Sequence, residues 1–132
     1  MKTVLVVDDE PVLRFLMREI LQDEGYAVID AADGKTALEL LQGVQPDLVL
    51  MDVMMPGVDG REAYQALRSR ADVPDLPVVM MSAAVQPGQL DPSIAAFLRK
   101  PFDLTELVEL VAHLIGPPHG DGKVETTGPA AN

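Results

Sequence analysis

Cysteine is absent from the 132-residue chain, which excludes a disulfide framework and any thiolate metal site and leaves the redox compartment unreadable from thiol chemistry. Basic residues are scarce: ten Lys and Arg against twenty-one Asp and Glu give a formal charge of -11. That balance disfavours binding nucleic acid through a broad basic surface and suits cations or basic protein surfaces. Long apolar runs are missing as well. Although 48% of the residues are apolar, charges and prolines break each run well short of the roughly eighteen residues a membrane span requires. At the N-terminus, Lys2 leads directly into a short strand-like run and Asp8, without the long apolar segment and small-residue cleavage site of a signal peptide. A cytoplasmic protein without membrane contact is expected.

What is present begins with "VLVVDDE", Val4 to Glu10. Four apolar residues suited to a buried strand end in three carboxylates, and like charges this close raise each other's proton affinity. Either water solvates these acids or something positive sits among them. The length allows one domain with a single core. Runs rich in Val, Leu, Ile and Met at residues 3–7, 26–29, 47–51, 77–81 and 95–98 predict five strands. Most lack alternation, as strands of a parallel sheet covered on both faces do.

Helical spacing fills the intervals. In residues 12–24, Leu13, Leu16, Met17, Ile20 and Leu21 form one apolar face, and Gly25 stops the helix. A second helix covers residues 34–41 with Asp33 as its N-cap. A third opens on "DGRE" from Asp59, an acidic cap followed three positions later by Glu62, and presents Ala63, Tyr64, Ala66 and Leu67. The last opens on "DLTE" from Asp103 and runs to Ile115, presenting Leu107, Leu110, Val111 and Leu114. Strands alternating with helices define an α/β fold. Pro87, Gly88 and Pro92 leave little room for a regular helix between the fourth and fifth strands, so a short or distorted one is predicted there. After Ile115 the chain turns to Gly, Pro and small polar residues, which predicts a folded domain over 1–116 and a flexible tail over 117–132.

In an open parallel sheet the ligand site lies beyond the carboxyl ends of the strands. The first predicted strand ends at Asp8 and Asp9, the third at Asp52, the fourth at Ser82 and the fifth at Lys100. Taken singly these residues carry no signal, since an Asp at a strand end is usually a helix cap or a solvated loop residue. Together they gather three carboxylates, a hydroxyl and an ammonium on one edge. Carboxylates with waters suit Mg²⁺, which keeps part of its hydration shell and completes its octahedron with a phosphate oxygen. A lysine and a hydroxyl suit the other phosphate oxygens, and a central aspartate can be the nucleophile that accepts the phosphoryl group.

The motifs "VLVVDDE", "PDLVLMDVMMPGVDG", "VVMMSA" and "FLRKPF", in this order, resemble those of a response-regulator receiver domain, the phosphoacceptor module of two-component signalling. The resemblance covers Lys2 to about Ile115. It implies a doubly wound, five-stranded parallel sheet of flavodoxin-like order 2-1-3-4-5 with helices on both faces. It implies that Asp52 is the phosphorylated aspartate, receiving its phosphoryl group from a phosphohistidine. Asp8 and Asp9 would bind Mg²⁺, with Mn²⁺ as the alternative cation, joined by Asp52 and by the backbone carbonyl of Met54. Ser82 would contact the phosphoryl group and Lys100 would pair with it, and the Lys100–Pro101 bond is similar to one that is cis in the family. Phe97 sits where the family has a Tyr or Phe that acts as a switch; a plain core aromatic accounts for it equally well. The implied partners are a histidine kinase or histidine phosphotransfer protein upstream and a protein target downstream, with the chain a monomer or a phosphorylation-dependent dimer. No separate substrate turnover is expected.

Two features depart from the family pattern. The segment from Ser82 to Lys100 is a few residues short and contains two prolines, so the helix that helps report phosphorylation in many receivers is not assured. Nothing after Ile115 reads as a DNA-binding or catalytic domain, and output is expected through protein contact or onward phosphotransfer, without direct DNA binding. A degenerate receiver serving as a constitutive binding module is the rival within the fold, yet the acids and the lysine it would lack are present. A Mg²⁺-dependent phosphohydrolase with an aspartyl nucleophile would carry a second acid two residues on, where Met54 stands. The methionines at 51, 54, 55, 80 and 81 read as adaptable filler, and His113 and His119 lie off the predicted edge. Glu10 is assigned only to the start of the first helix, where negative charge favours the helix dipole.

Overall fold

Side chains alternate across β1, Thr3–Val7, so that Val4 and Val6 enter one layer and Leu5 and Val7 the other; all four are fully buried. The same holds in β3, Leu48–Asp52, and β4, Val78–Ser82, where every residue is buried. Strands apolar on both faces need cover on both faces, and the chain supplies it. A computed structural model describes residues 1–70, 72 and 75–119. In it β2, Ala27–Ala31, and β5, Ala96–Arg99, complete a parallel sheet of order β2-β1-β3-β4-β5.

On one face α1, Pro11–Asp23, and α4, Leu104–Ile115, pack Met17, Leu21, Leu107 and Val111 against Val4, Val6, Leu50 and Met81. On the other, α2, Gly34–Leu40, and α3, Gly60–Arg68, pack Ala37, Ala63, Tyr64 and Leu67 against Leu5, Val49 and Met80. Gly25 ends α1 at φ +107°, a left-handed conformation that favours glycine. Asp33 accepts from Thr36 N–H, and Asp59 with Glu62 forms a complete capping box.

The structure corrects several local readings. β3 and β4 each extend one residue past the predicted end and take in Asp52 and Ser82, because the sheet hydrogen bonding continues after the apolar residues stop. Leu16 is 41% exposed: the apolar stripe of α1 is wider than the face the core covers. Asp103 precedes α4 without a side-chain cap bond. Between β4 and β5, by contrast, the short or distorted helix predicted there is found as a single 3₁₀ turn, Pro87–Gln89.

The crossover around that turn is fixed by side chains. Val85 and Leu90 are buried, Gln65 Nε2 donates to Asp91, Arg99 donates to Gln86, and Tyr64 and Ser93 share a 2.6 Å hydrogen bond. At the opposite end of the sheet, Tyr26 donates to the Gly116 carbonyl, Lys2 N–H donates to the Pro118 carbonyl and the Lys2 ammonium reaches the Ile115 carbonyl. The start of the predicted tail is therefore in contact with the domain, while residues 120–132 lie outside the described residues. Among the described residues no helix is long and apolar enough to cross a membrane.

Candidate functional site

The strand ends carry the site into register. Asp8 follows β1 and donates its N–H to the Ala31 carbonyl of β2. Asp52 is the last residue of β3, and the next N–H, that of Val53, donates to Met81 of β4. Ser82 closes β4 and accepts at its carbonyl from Lys100 N–H, just past β5. Carboxylate oxygens of Asp8, Asp9 and Asp52 lie within 4.8 Å of one another. Asp8 is fully buried, Asp52 is 5% exposed and Asp9 is exposed.

Lys100 is the counter-charge. Its Nζ stands 2.8 Å from Asp8 Oδ2, 3.0 Å from Glu10 Oε1 and 3.2 Å from Asp52 Oδ2. Burial works against its charge, but the contacts with Asp8 and Glu10 and the charges of Asp8 and Asp52 outweigh it and hold its pKa above that of an ordinary lysine. For Asp52 burial is the largest effect; the Lys100 ammonium opposes it and the Asp8 and Asp9 charges reinforce it, so the carboxyl is pushed up to about 6. The Lys100–Pro101 peptide is cis.

The Ser82 hydroxyl accepts from Ala84 N–H at 3.0 Å and Val85 N–H at 2.9 Å, which leaves its own proton available for another acceptor. Met54 is 51% exposed with its sulfur 4.0 Å from the Arg61 guanidinium. Phe97 stands on β5, partly buried against the α2–α3 layer, with the Arg99 guanidinium 5.4 Å from its ring centroid. Asp8, Asp9, Asp52 and Lys100 thus converge directly, whereas Phe97 does not belong to the charged cluster. The sequence reading of Glu10 needs correcting, since Glu10 binds Lys100 from ninety positions away. Only the acid beside Asp9 could have signalled it.

The donor set fits a hard divalent cation. It is all oxygen and all acid, and the buried Asp8 Oδ2 already faces a positive group, the Lys100 ammonium at 2.8 Å. Three converging carboxylates against one ammonium leave an excess of negative charge at the rim, which a divalent cation would offset.

The profile of the response regulator receiver domain matches residues 4–112. The chain is 40% identical over 116 residues to the response regulator MprA of Mycolicibacterium vanbaalenii, covering 85% of this chain and 49% of that protein. With the DNA-binding regulator RpaA of Synechocystis it shares 36% over 122 residues, covering 87% of this chain and 49% of the other. It spans about half the length of the curated relatives it matches. Among solved structures, chemotaxis protein CheY4 of Vibrio cholerae superposes with a TM-score of 0.80 at 31% identity, covering 86% of this chain and 98% of that one. The receiver domain of sensor histidine kinase PA1611 from Pseudomonas aeruginosa, solved with a magnesium ion in its active-site cleft, gives 0.79 at 28% identity, covering 87% and 98%.

Fold and site together define a phosphoacceptor signalling module. The chain belongs to the response regulator receiver domain family, whose members act as signalling modules that take up a phosphoryl group, not as enzymes with separate substrates. Its Asp8–Asp9–Asp52 cluster is consistent with the aspartyl phosphate and Mg²⁺ site of CheY-like regulators.

Proposed function

We propose that Asp52 accepts a phosphoryl group from the phosphohistidine of a kinase or phosphotransfer protein, and that Asp8, Asp9, Asp52 and the Met54 carbonyl hold Mg²⁺ or Mn²⁺. The observation that carries this reading is three carboxylates converging with one half-buried ammonium at the carboxyl rim of a receiver fold. When bound, the cation supplies charge neutralisation at the phosphoryl oxygens. An Asp52 oxygen attacks phosphorus, the P–N bond breaks, and the departing imidazole keeps the electron pair and takes a proton. Lys100, held charged, pairs with a phosphoryl oxygen, and Ser82 donates its hydroxyl proton to another.

The added charge of roughly -1.5 to -2 draws Ser82 inward, and the amides of Ala84 and Val85 follow because they are bonded to its oxygen. The crossover then carries the signal, and Phe97 turns into the vacated space by packing alone. A groove of about 470 Å³ lined by Val12, Leu13, Leu16 and Phe102 opens beside Glu10 and Lys100. Its continuity with the acceptor site fits it to the apolar face of the segment that presents the phosphohistidine, and the cytoplasm is where such a partner would meet it.

Intact-mass spectrometry after incubation with acetyl phosphate tests the assignment. One phosphoryl group is expected with Mg²⁺, and none with EDTA or in Asp52→Asn. Labelling of Asp52→Asn equal to wild type would overturn it. A Phe97→Ala variant that keeps the wild-type shape change with beryllofluoride would remove the aromatic switch.

A further inference from the structure

Asp8, which begins the acidic run, is steadied by a side chain one turn into α1. Arg14 Nη1 donates to the backbone carbonyl of Asp8 at 2.6 Å, and Arg14 Nε donates to Asp30 Oδ2 at 3.0 Å. Arg14 is 20% exposed and Asp30, on β2, 27%. Asp30 accepts a second guanidinium through its other oxygen, from Arg18 at 2.7 Å. The Arg14 N–H donates to the Glu10 carbonyl as the first helical bond of α1, independent of its side chain. The guanidinium therefore ties the Asp8 carbonyl, at the start of the Asp8–Asp9–Glu10 turn, to the neighbouring strand.

The consequence for Asp8 is a fully specified orientation. Its N–H is bound to Ala31, its carbonyl to Arg14, and its Oδ1 to the Glu10 N–H at 2.9 Å. Its remaining oxygen, Oδ2, lies in the acid cluster, 2.8 Å from the Lys100 ammonium. An exposed ion pair holds little on its own, but a planar guanidinium that bonds a carboxylate and a backbone carbonyl at once transmits position. A lysine ammonium has no such fork.

We propose that Arg14, gripped by Asp30, is a positioning residue that sets the Asp8 carboxylate for a divalent cation. The proposal rests on the reading of Asp8 and Asp9 as the Mg²⁺ pair. Arg18 provides the control: it loses the same charge on substitution and shares Asp30, yet it does not touch Asp8.

Titrating Mg²⁺ alone against the full chain, followed by NMR of the Asp8–Glu10 amides, tests it. Arg14→Gln is expected to raise Kd about tenfold, the scale seen when the partners that orient metal ligands are removed. Arg14→Lys follows Arg14→Gln despite keeping the charge, Asp30→Asn falls between, and Arg18→Gln stays near wild type. Without cation, exchange of the Glu10 amide hydrogen quickens in both Arg14 variants and not in Arg18→Gln. Wild-type affinity in Arg14→Gln, or an equal loss in Arg18→Gln, would overturn the clamp. Should Arg14→Gln fail to fold, Arg14→Lys and Asp30→Asn decide by the same readouts. If the wild type itself shows no Mg²⁺ response, the metal reading fails, and the Glu10 exchange rate still decides the clamp.

Discussion

The rim of the sheet has two halves that are held in different ways. On β1 and β3 the acids are fixed through their own backbone: Asp8 N–H is bonded to Ala31 of β2 and its carbonyl to the Arg14 guanidinium, and Asp52 ends a fully buried strand. On β4 and β5 the responding groups lead into a crossover held by side-chain bonds of Tyr64, Gln65 and Arg99. Backbone anchoring preorganises charge where a cation and a phosphoryl group are to be met. Side-chain bonds, each worth about 1 kcal/mol, can be exchanged without breaking the sheet ladder. In the proposed switch the acid half is therefore the platform and the crossover half the part expected to move.

The largest effect should come from the platform. Gly60 opens α3 and donates its N–H to Val53, one residue past the acceptor. A Cβ there would lie 2.3 Å from the Asp52 carbonyl oxygen and 2.9 Å from Val53 Cα. Backbone on both sides leaves nothing flexible to move aside. Gly60→Ala should lose about 3 kcal/mol in urea unfolding, the upper range for overpacking, and acetyl phosphate labelling of the folded fraction should fall with it. A neutral result would show that the platform yields as readily as the crossover.

The next effect is a gain. Asp52 has an ordinary carboxyl value of 3.8 in the open chain and about 6 when folded. Below 3.8 it is protonated in both states and its burial is without ionic cost. As pH rises from 3.8 towards 6 the unfolded chain ionises first, so this group withdraws stability, and above 6 the loss is complete. In EDTA at pH 7.5, Asp52→Asn should be more stable than wild type by about 2 kcal/mol, the rise from 3.8 to about 6 discounted for solvent screening, with most of the gain gone near pH 4. Urea titrations at the two pH values check this, and a pH-independent difference would contradict it. Saturating Mg²⁺ should shrink the gain, because cation binding stabilises the wild-type platform.

How much of this was legible follows the same division. Helix positions and the acid cluster follow from caps and apolar runs that act locally, while the sheet order came only with the resemblance to receivers, and Asp8, Asp9, Asp52 and Lys100 converge because strand ends share one edge. Long side chains that reach across the sequence were not legible. Glu10 meets Lys100 and Arg14 meets Asp30 only once β1, β2 and β5 are assembled. The prolines at 87 and 92 showed that a regular helix was unlikely to fit, but no local signal says that Tyr64 would fasten the loop replacing it. Leu16 is the converse case: its helical spacing is right, and its exposure depends on how little of α1 the sheet can cover.

The smallest predicted effect isolates the moving half. Tyr64 is buried, and its hydroxyl accepts from Arg68 Nε at 3.0 Å. Ser93 Oγ in turn donates to Asp91 Oδ1 at 2.7 Å, so the Tyr64 proton is directed to Ser93. Tyr64→Phe keeps the ring in the core and removes one bridge between α3 and the crossover, leaving that of Gln65 to Asp91. The expected cost is about 1 kcal/mol, and hydrogen exchange should rise over residues 90–95 while Mg²⁺ affinity stays at the wild-type value. A fall in affinity matching the rise in exchange would mean that the two halves are one rigid unit, and that Ser82 has no looser partner to move.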